Sequence, residues 1–207
     1  MSKKLQPKVR RLRKAKANKH SNQLRIIGGQ WRGRKLDFAD GEGLRPTMDR
    51  VRETVFNWLQ GEIVDARCLD LFSGSGAMGL EALSRYAGEV VMIDKNPRAM
   101  AMIDKNLALL GAKNARVLQM DARDFLAQAA TLEADKTYDI VFLDPPFNKQ
   151  LVAPFCDLLA QSNCLSKQAS IYIEMENNTM LPKLPEAWEV IRQKKAGQLA
   201  YYLVIAS

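Results

Sequence analysis

Histidine is nearly absent: one residue, His20, in 207, and it stands in a polar basic stretch. That argues against Ser-His hydrolysis and against a histidine-held metal. Cysteine is scarce too. Cys68, Cys156 and Cys164 are odd in number and lack C-x-x-C spacing, so neither a disulfide framework nor a zinc site is expected, and no metal is assigned. No apolar run approaches the ~18 residues of a membrane helix. The N-terminus has no apolar core of a secretory signal. The expected setting is the reducing cytoplasm, with no membrane partner.

Acid is missing from one region only. Residues 1–36 hold 13 Lys and Arg and no Asp or Glu, which leaves 18 basic against 23 acidic residues for the rest. The formal charge of +8 is therefore an N-terminal device on a mildly acidic body. A phosphate-rich partner fits such a segment, because each cation near a nucleic-acid backbone releases counterions. A solvated tail that aids solubility is the plainer alternative, and a Lys-heavy organellar presequence a remoter one.

The chain divides into three stretches by pattern: a basic tail over 1–23, an N-terminal β element and helix over 24–60, and a larger domain over 61–207. Leu24-Arg25-Ile26-Ile27 alternates into Gly28-Gly29, and Lys35-Leu36-Asp37-Phe38 reads as a second short strand. Between them, Trp31 flanked by Arg32 and Arg34 either stacks on a base while the arginines hold phosphate, or packs the hairpin onto the main domain. After Arg45-Pro46, Thr47 or Asp49 is expected to cap a helix running to about Gln60. Val51, Val55, Trp58 and Leu59 would share one face, and Gly61 would close it.

From Ala66 onward strands and helices alternate. Strands are read at 67–72, 89–94, 115–120, 138–143, 169–175, 187–194 and 198–205; helices at 76–86, 97–110, 122–130 and 149–161. Strands without a clean polar face imply a mostly parallel sheet covered on both sides. The last two strands are joined by too few residues for a crossover, so they form an antiparallel hairpin.

Two loops carry chemistry. The apolar run Tyr138–Leu143 stops at Asp144-Pro145-Pro146-Phe147. Two prolines cannot continue a ladder, so an acid, a rigid kink and an aromatic stand together at the strand's carboxyl end, where open α/β sheets bind ligands. That group suits a flat base with an amino group. The other loop, Ser73 to Gly79, places Gly74, Gly76 and Gly79 in G-x-G-x-x-G spacing between a strand and a helix, and Asp94 ends the next strand. By itself this matches a dinucleotide fingerprint, and a nicotinamide enzyme is one reading. The acids shift the balance. Asp70, Asp94, Asp121 and Asp144 each end a strand, which suits a cationic cofactor better than a pyrophosphate. Asp94 and Asp121 can also be plain helix caps.

Together, Asp70–Gly79, Asp94, Asp121 and Asp144–Phe147 resemble the class I S-adenosylmethionine-dependent methyltransferases, whose amino-methylating members carry Asp-Pro-Pro-Phe. Arg25–Gly29, Arg32–Leu36 and Arg45–Glu53 narrow the likeness. From about Leu24 to Ile205 the chain is similar to the RsmD-type 16S ribosomal RNA guanine-N2 methyltransferases. The resemblance implies a Rossmann-like, mostly parallel seven-stranded sheet with a C-terminal antiparallel hairpin and a small N-terminal β element. It implies S-adenosylmethionine as cofactor, while small size and fold analogy favour a monomer. It also implies a specific guanine of 16S RNA, in a partly or fully assembled small subunit, as target, and N2-methylguanine as product.

By that resemblance, Asp144 and the Pro145 carbonyl accept hydrogen bonds from the guanine N2 group, Pro146 fixes the turn, and Phe147 stacks on the base. Asp70, Phe72, Gly74, Gly76, Asp94, Asn96, Asp121, Ala122 and Thr47 border the cofactor: Asp94 at the ribose hydroxyls, Asp121 at the adenine amino group, Asp70 at the ammonium. Arg25, Trp31, Arg32, Arg34, Lys35 and Arg45 are expected to contact nucleic acid. Adenine-N6 enzymes use a similar motif and stay open as an alternative, as does a non-catalytic RNA-binding assembly factor. Enzymes that methylate protein glutamine favour Asn at the first motif position, where this chain has Asp144.

Overall fold

The computed structural model describes residues 22–39, 47–129, 137–147 and 149–207. The tail expected over 1–23 lies almost wholly outside them, as do Arg45 and Pro46. A two-stranded antiparallel element, β1 (Gln23–Arg25) and β2 (Lys35–Asp37), precedes α1 (Asp49–Trp58). Then follow β3 (Arg67–Asp70), α2 (Ala77–Ser84), β4 (Glu89–Asp94), α3 (Pro97–Leu110), β5 (Ala115–Gln119), α4 (Ala122–Ala129), β6 (Tyr138–Leu143) and α5 (Val152–Gln161). The chain ends with β7 (Leu165–Glu176), β8 (Trp188–Ala196) and β9 (Leu199–Ala206).

Seven strands form one sheet in the order β5-β4-β3-β6-β7-β9-β8. The first five are parallel, and β9 runs antiparallel to both β7 and β8. The expected fold class therefore stands, hairpin included. The chain winds outward from β3 to β5, then returns to place β6 on the other side of β3. Ligands bind at such a reversal, outside the carboxyl ends of the strands. The glycine loop leaves β3 and the Asp-Pro-Pro-Phe turn leaves β6, so topology alone makes these two distant motifs neighbours.

The sheet splits the core in two. Cys68, Val90, Met92, Ile140, Phe142, Tyr172 and Leu203 pack with α1, α2, α3 and the N-terminal element. Leu69, Val91, Ile93, Val141, Leu143, Ile171 and Ile173 pack with α4 and α5. Both faces are covered, so β3, β4 and β6 read as nearly unbroken apolar runs. Leu24, Ile26 and Leu36 of the N-terminal element belong to the first of these clusters. A buried salt-bridge network fastens that element. Glu81 of α2 accepts from the amides of Ile27 and Gly28 at 2.8 Å each and from Arg85 Nε at 2.8 Å. Arg52 Nη1 lies 3.5 Å from the same carboxylate. Gly29 has φ +74°, and a Cβ there would fall 1.7 Å from the Ser84 carbonyl oxygen. Only glycine lets the turn approach α2 so closely.

Helix α1 departs from expectation at its start. Met48 is its N-cap, with no side-chain bond. Thr47 and Asp49, expected as caps, are engaged elsewhere: Thr47 with Asp144, Asp49 with Arg25 and Arg52. Val51, Val55 and Leu59 are buried as expected, and so are Phe56 and, less obviously, Arg52. Trp58 is half-buried against Tyr201, ring centroids 5.4 Å apart. The helix ends at a Leu59 C-cap, before Gly61. Helix α3 has the expected boundaries: Asn96 caps it, Pro97 opens it, and Gly111 at φ 68° closes it. Strand β3 ends at Asp70 rather than residue 72, and β7 begins at Leu165 rather than 169. The pairing of β6 with β7 slips between Tyr138 and Ile140, and this irregularity hides the early part of β7 from a period-two reading.

Candidate active site

At the end of β3, Asp70 is 2% exposed and accepts the Gly79 amide at 3.1 Å. Burial, then the charge of Asp94, pushes its carboxyl from an ordinary 3.8 up to about 7, against the pull of the Gly79 N–H. Among the described residues no cation pairs with it. A buried acid without a counter-charge is suited to a ligand that brings one. On this ground the donor set fits a cofactor carrying an ammonium group.

The loop beyond Asp70 is shaped by its glycines. Gly74 (φ 49°) and Gly76 (φ 78°) take left-handed conformations. The Gly74 amide donates to Asp94 Oδ2 at 2.9 Å, and the Asn96 amide donates to Asp94 Oδ1 at 2.8 Å. Asp94 thus ties the glycine loop to the end of β4, and each oxygen keeps a second lone pair for a ligand. Asn96 Oδ1 is committed to the amides of Arg98 and Ala99. Asp121 Oδ1 accepts the Arg123 amide at 2.9 Å, the capping role weighed from sequence, while no donor among the described residues reaches Oδ2. Ala122 is buried in the α4 side of the core, so only its backbone can face a ligand. Phe72 is half-buried and packs edge-on against Phe155, centroids 4.8 Å apart at 74°, which anchors the loop to α5.

The Asp-Pro-Pro-Phe turn stands one strand away. Asp144 is half-buried and Thr47 Oγ1 donates to its Oδ2 at 3.3 Å. Burial, then the charges of Glu174 and Asp70, raises the Asp144 carboxyl well above its usual range, while the Thr47 hydroxyl lowers it. Pro145 is buried, Pro146 is exposed, and Phe147 is 39% exposed, a large aromatic left open at a ligand-binding edge. Asp70, Asp144, Thr47 and the glycine loop converge at the reversal of strand order.

Glu174 and Tyr172 were not foreseen. Glu174 is 4% exposed and accepts from the Tyr172 hydroxyl. Its carboxyl is also pushed up, by burial. The available signal was a charged residue inside the apolar stretch Ile171–Met175, beside the strand that leads into Asp144.

The residues expected to touch nucleic acid do not form one patch. Arg25 is exposed beside Asp49, with Nη2 to Oδ2 at 3.1 Å, and its carbonyl shares the Arg52 guanidinium with the carbonyl of Thr47. Arg32, Arg34 and Lys35 are exposed, but Arg34 Nη2 donates to the Leu109 carbonyl at 3.3 Å. Trp31 is half-buried against the core, and its amide donates to Ser84 Oγ at 3.0 Å. Ser84 and Leu109 stand in the last turns of α2 and α3, which carry the chain back to the amino ends of β4 and β5. Trp31 and Arg34 therefore lie toward the sheet edge opposite Asp144, whereas Lys35 pairs with Arg25 across the hairpin. Cys68, Cys156 and Cys164 are all buried and unbridged.

The family model described as Conserved hypothetical protein 95 matches residues 24–205. Ribosomal RNA small subunit methyltransferase D of Escherichia coli strain K12 is 52% identical over 183 residues, 88% of this chain and 90% of that protein. The Haemophilus influenzae protein of the same name is 40% identical, over 93% of this chain and 98% of its own. The solved structure of yhhF from Escherichia coli superposes with a TM-score of 0.81 at 49% identity, covering 89% of this chain and 98% of that one. The chain belongs to the Conserved hypothetical protein 95 family, in which these small-subunit ribosomal RNA methyltransferases are its relatives.

Proposed function

We propose that the protein methylates the exocyclic N2 of a specific guanine in the 16S RNA of the small ribosomal subunit. S-adenosylmethionine is the donor, and N2-methylguanine and S-adenosylhomocysteine are the products. The observation that carries this reading is Asp144. It is a carboxylate at a rigid strand end, beside an exposed aromatic and across from a glycine loop and a buried acid that no cation among the described residues pairs. The names of the relatives supply the class of RNA. S-adenosylmethionine, when bound, supplies a methyl group on a sulfonium.

The residues of the chain bind, orient and receive the proton. Asp70 meets the cofactor ammonium, directly or through water, and is returned to its ionised form by that cation. Gly74 and Gly76 let the backbone come close to the methionine moiety. Asp94 holds the ribose hydroxyls with the lone pairs its loop amides leave free, and Asp121 accepts from the adenine amino group.

The N2 of guanine is a poor nucleophile because its lone pair is delocalised into the ring. Asp144 and the Pro145 carbonyl accept its two hydrogens and localise that pair as the methyl arrives. Thr47 fixes the carboxylate through one oxygen. Phe147 stacks on the base, which enters looped out of its helix. The amine turns acidic once methylated, and its proton passes to Asp144 or to water. Catalysis rests on position and on electrostatics at the reacting nitrogen. Arg25, linked to Thr47 through Arg52, takes a flanking phosphate. The protein acts as a monomer.

The test is methyl transfer from tritiated S-adenosylmethionine to free 16S RNA and to small subunits from cells lacking this protein, followed by nucleoside analysis. Label in N2-methylguanosine is expected. Label in N6-methyladenosine, or in protein, would overturn the acceptor. Cofactor binding without any transfer would leave a non-catalytic assembly factor.

A further inference from the structure

Glu174 has no part in the chemistry described so far, yet the register places it beside the acceptor. Leu143 of β6 pairs with Ile173 of β7, so Asp144 and Glu174 are the next residues on two neighbouring parallel strands. Both continue the sheet face of Phe142 and Tyr172, the face on which Asp70 also lies through its pairing with Phe142. Tyr172 occupies Glu174 Oε2 and Thr47 occupies Asp144 Oδ2. Among the described residues no donor reaches the other oxygen of either group. Two carboxylates thus stand side by side, each fixed by one hydroxyl through one oxygen.

In the free protein this arrangement is electrostatically poor. Burial favours the protonated form of both groups, and the charge of Glu174 adds to the effect on Asp144. A ligand relieves it by presenting two adjacent N–H donors. The Watson–Crick edge of guanine has them, N1–H beside the N2 amino group. Adenine instead sets a bare N1 lone pair beside its amino group. Asp144 alone cannot tell the two apart, because any exocyclic amine donates to it.

We propose that Glu174 accepts the N1–H of the target guanine while Asp144 holds its amino group, so that the pair selects guanine against adenine. The proposal rests on the guanine-N2 reading of the site. With adenine bound, Asp144 would still receive the amino group, but an ionised Glu174 would face a lone pair and stay unsatisfied. Sites built to bond an N–H reject analogues lacking it by as much as ~10⁴–10⁵-fold.

The experiment uses the full chain and small-subunit RNA in which the target guanosine is either kept or replaced by 2-aminopurine riboside. The replacement retains the amino group but has a bare N1. Wild-type protein should prefer guanosine by at least ~100-fold in kcat/KM. In Glu174→Gln the preference should shrink at least ~10-fold, because the carboxamide keeps an oxygen for Tyr172 and turns an N–H toward the bare N1. Glu174→Asp, still an acceptor, should keep the preference. Calorimetric binding of S-adenosylmethionine to each variant checks that the site is folded. An unchanged preference in Glu174→Gln, with both substrates slowed alike, would reduce Glu174 to a structural group. Equal use of both substrates by wild type would overturn the proposal outright. Failure of wild type to methylate the guanosine RNA at all is a different result, one that removes the guanine-N2 reading itself.

Discussion

Replacing Asp70 by Asn should make the protein more stable and worse at its work. The carboxyl has an ordinary pKa of 3.8 and is held at about 7 in the fold, almost wholly buried. A native pKa above the unfolded one means that the folded state holds the proton more tightly. Stability from this group is intact below about pH 4 and is lost as pH rises toward 7. At ~1.4 kcal/mol per decade, the cost of the buried charge above pH 7 is of the order of 4 kcal/mol. Asparagine has no charge to desolvate, and its carboxamide oxygen still accepts the Gly79 amide. Asp70→Asn should therefore gain up to about 4 kcal/mol over wild type at pH 8 in urea denaturation, and the gain should vanish near pH 4. Binding should move the other way. Losing a charged partner for the cofactor ammonium costs ~1.5–3 kcal/mol, or roughly 10–100-fold in Kd for S-adenosylmethionine. A difference in stability that does not vary with pH, or a variant less stable than wild type throughout, would mean that Asp70 is already compensated in the free protein. Asp70 would then give no reason to expect a cationic ligand.

Three further substitutions probe the rest of the site. Asp144→Ala should lower kcat by at least ~100-fold while the Kd for S-adenosylmethionine stays near wild type; undiminished turnover would remove Asp144 from the chemistry. Phe147→Ala should weaken engagement of the RNA by ~1–3 kcal/mol, seen as a raised KM, and a KM equal to wild type would refute stacking. Arg52→Met should destabilise by about 3–5 kcal/mol, because it leaves Glu81 buried without Arg52 and frees the Thr47 and Arg25 carbonyls that the guanidinium holds. An unfolding midpoint equal to wild type would show that this buried network contributes nothing net.

Periodicity and punctuation made most of the fold legible. The alternation of apolar runs with glycine and proline stops placed every strand of the main sheet within a few residues, most sharply β4 and β6, which are covered on both faces and have no competing pattern. What failed depended on partners far along the chain. Arg52 carries no signal of burial in its own stretch of chain. It is buried because Asp49, Glu81 and two carbonyls converge on it from three separate segments. Thr47 reads as a helix cap, and only the return of β6 beside β3 brings Asp144 within reach of its hydroxyl. Trp31 reads equally as a base-stacking or a packing aromatic, and its contact with Ser84 and the core, with Arg34 on the Leu109 carbonyl, favours packing.

Glu174 marks where sequence reading of the site ends. The strand-end acids Asp70, Asp94, Asp121 and Asp144 are visible because each is followed by a loop or a helix start, so each can be weighed against a local turn or cap. Glu174 precedes the end of β7, followed by Met175 and Glu176, and its one local signal, a charge within the apolar run Ile171–Met175, does not say what it faces. Its meaning comes from register. The step from Ile173 to Glu174 runs beside the step from Leu143 to Asp144, and strand side chains alternate between faces with period two. A slip of one residue between β6 and β7 would turn Glu174 to the α5 side of the sheet and leave Asp144 as the sole carboxylate at the turn. The parallel pairing therefore decides whether the base pocket has one acceptor or two. An acceptor pair is what separates a site for any amino group from a site for guanine.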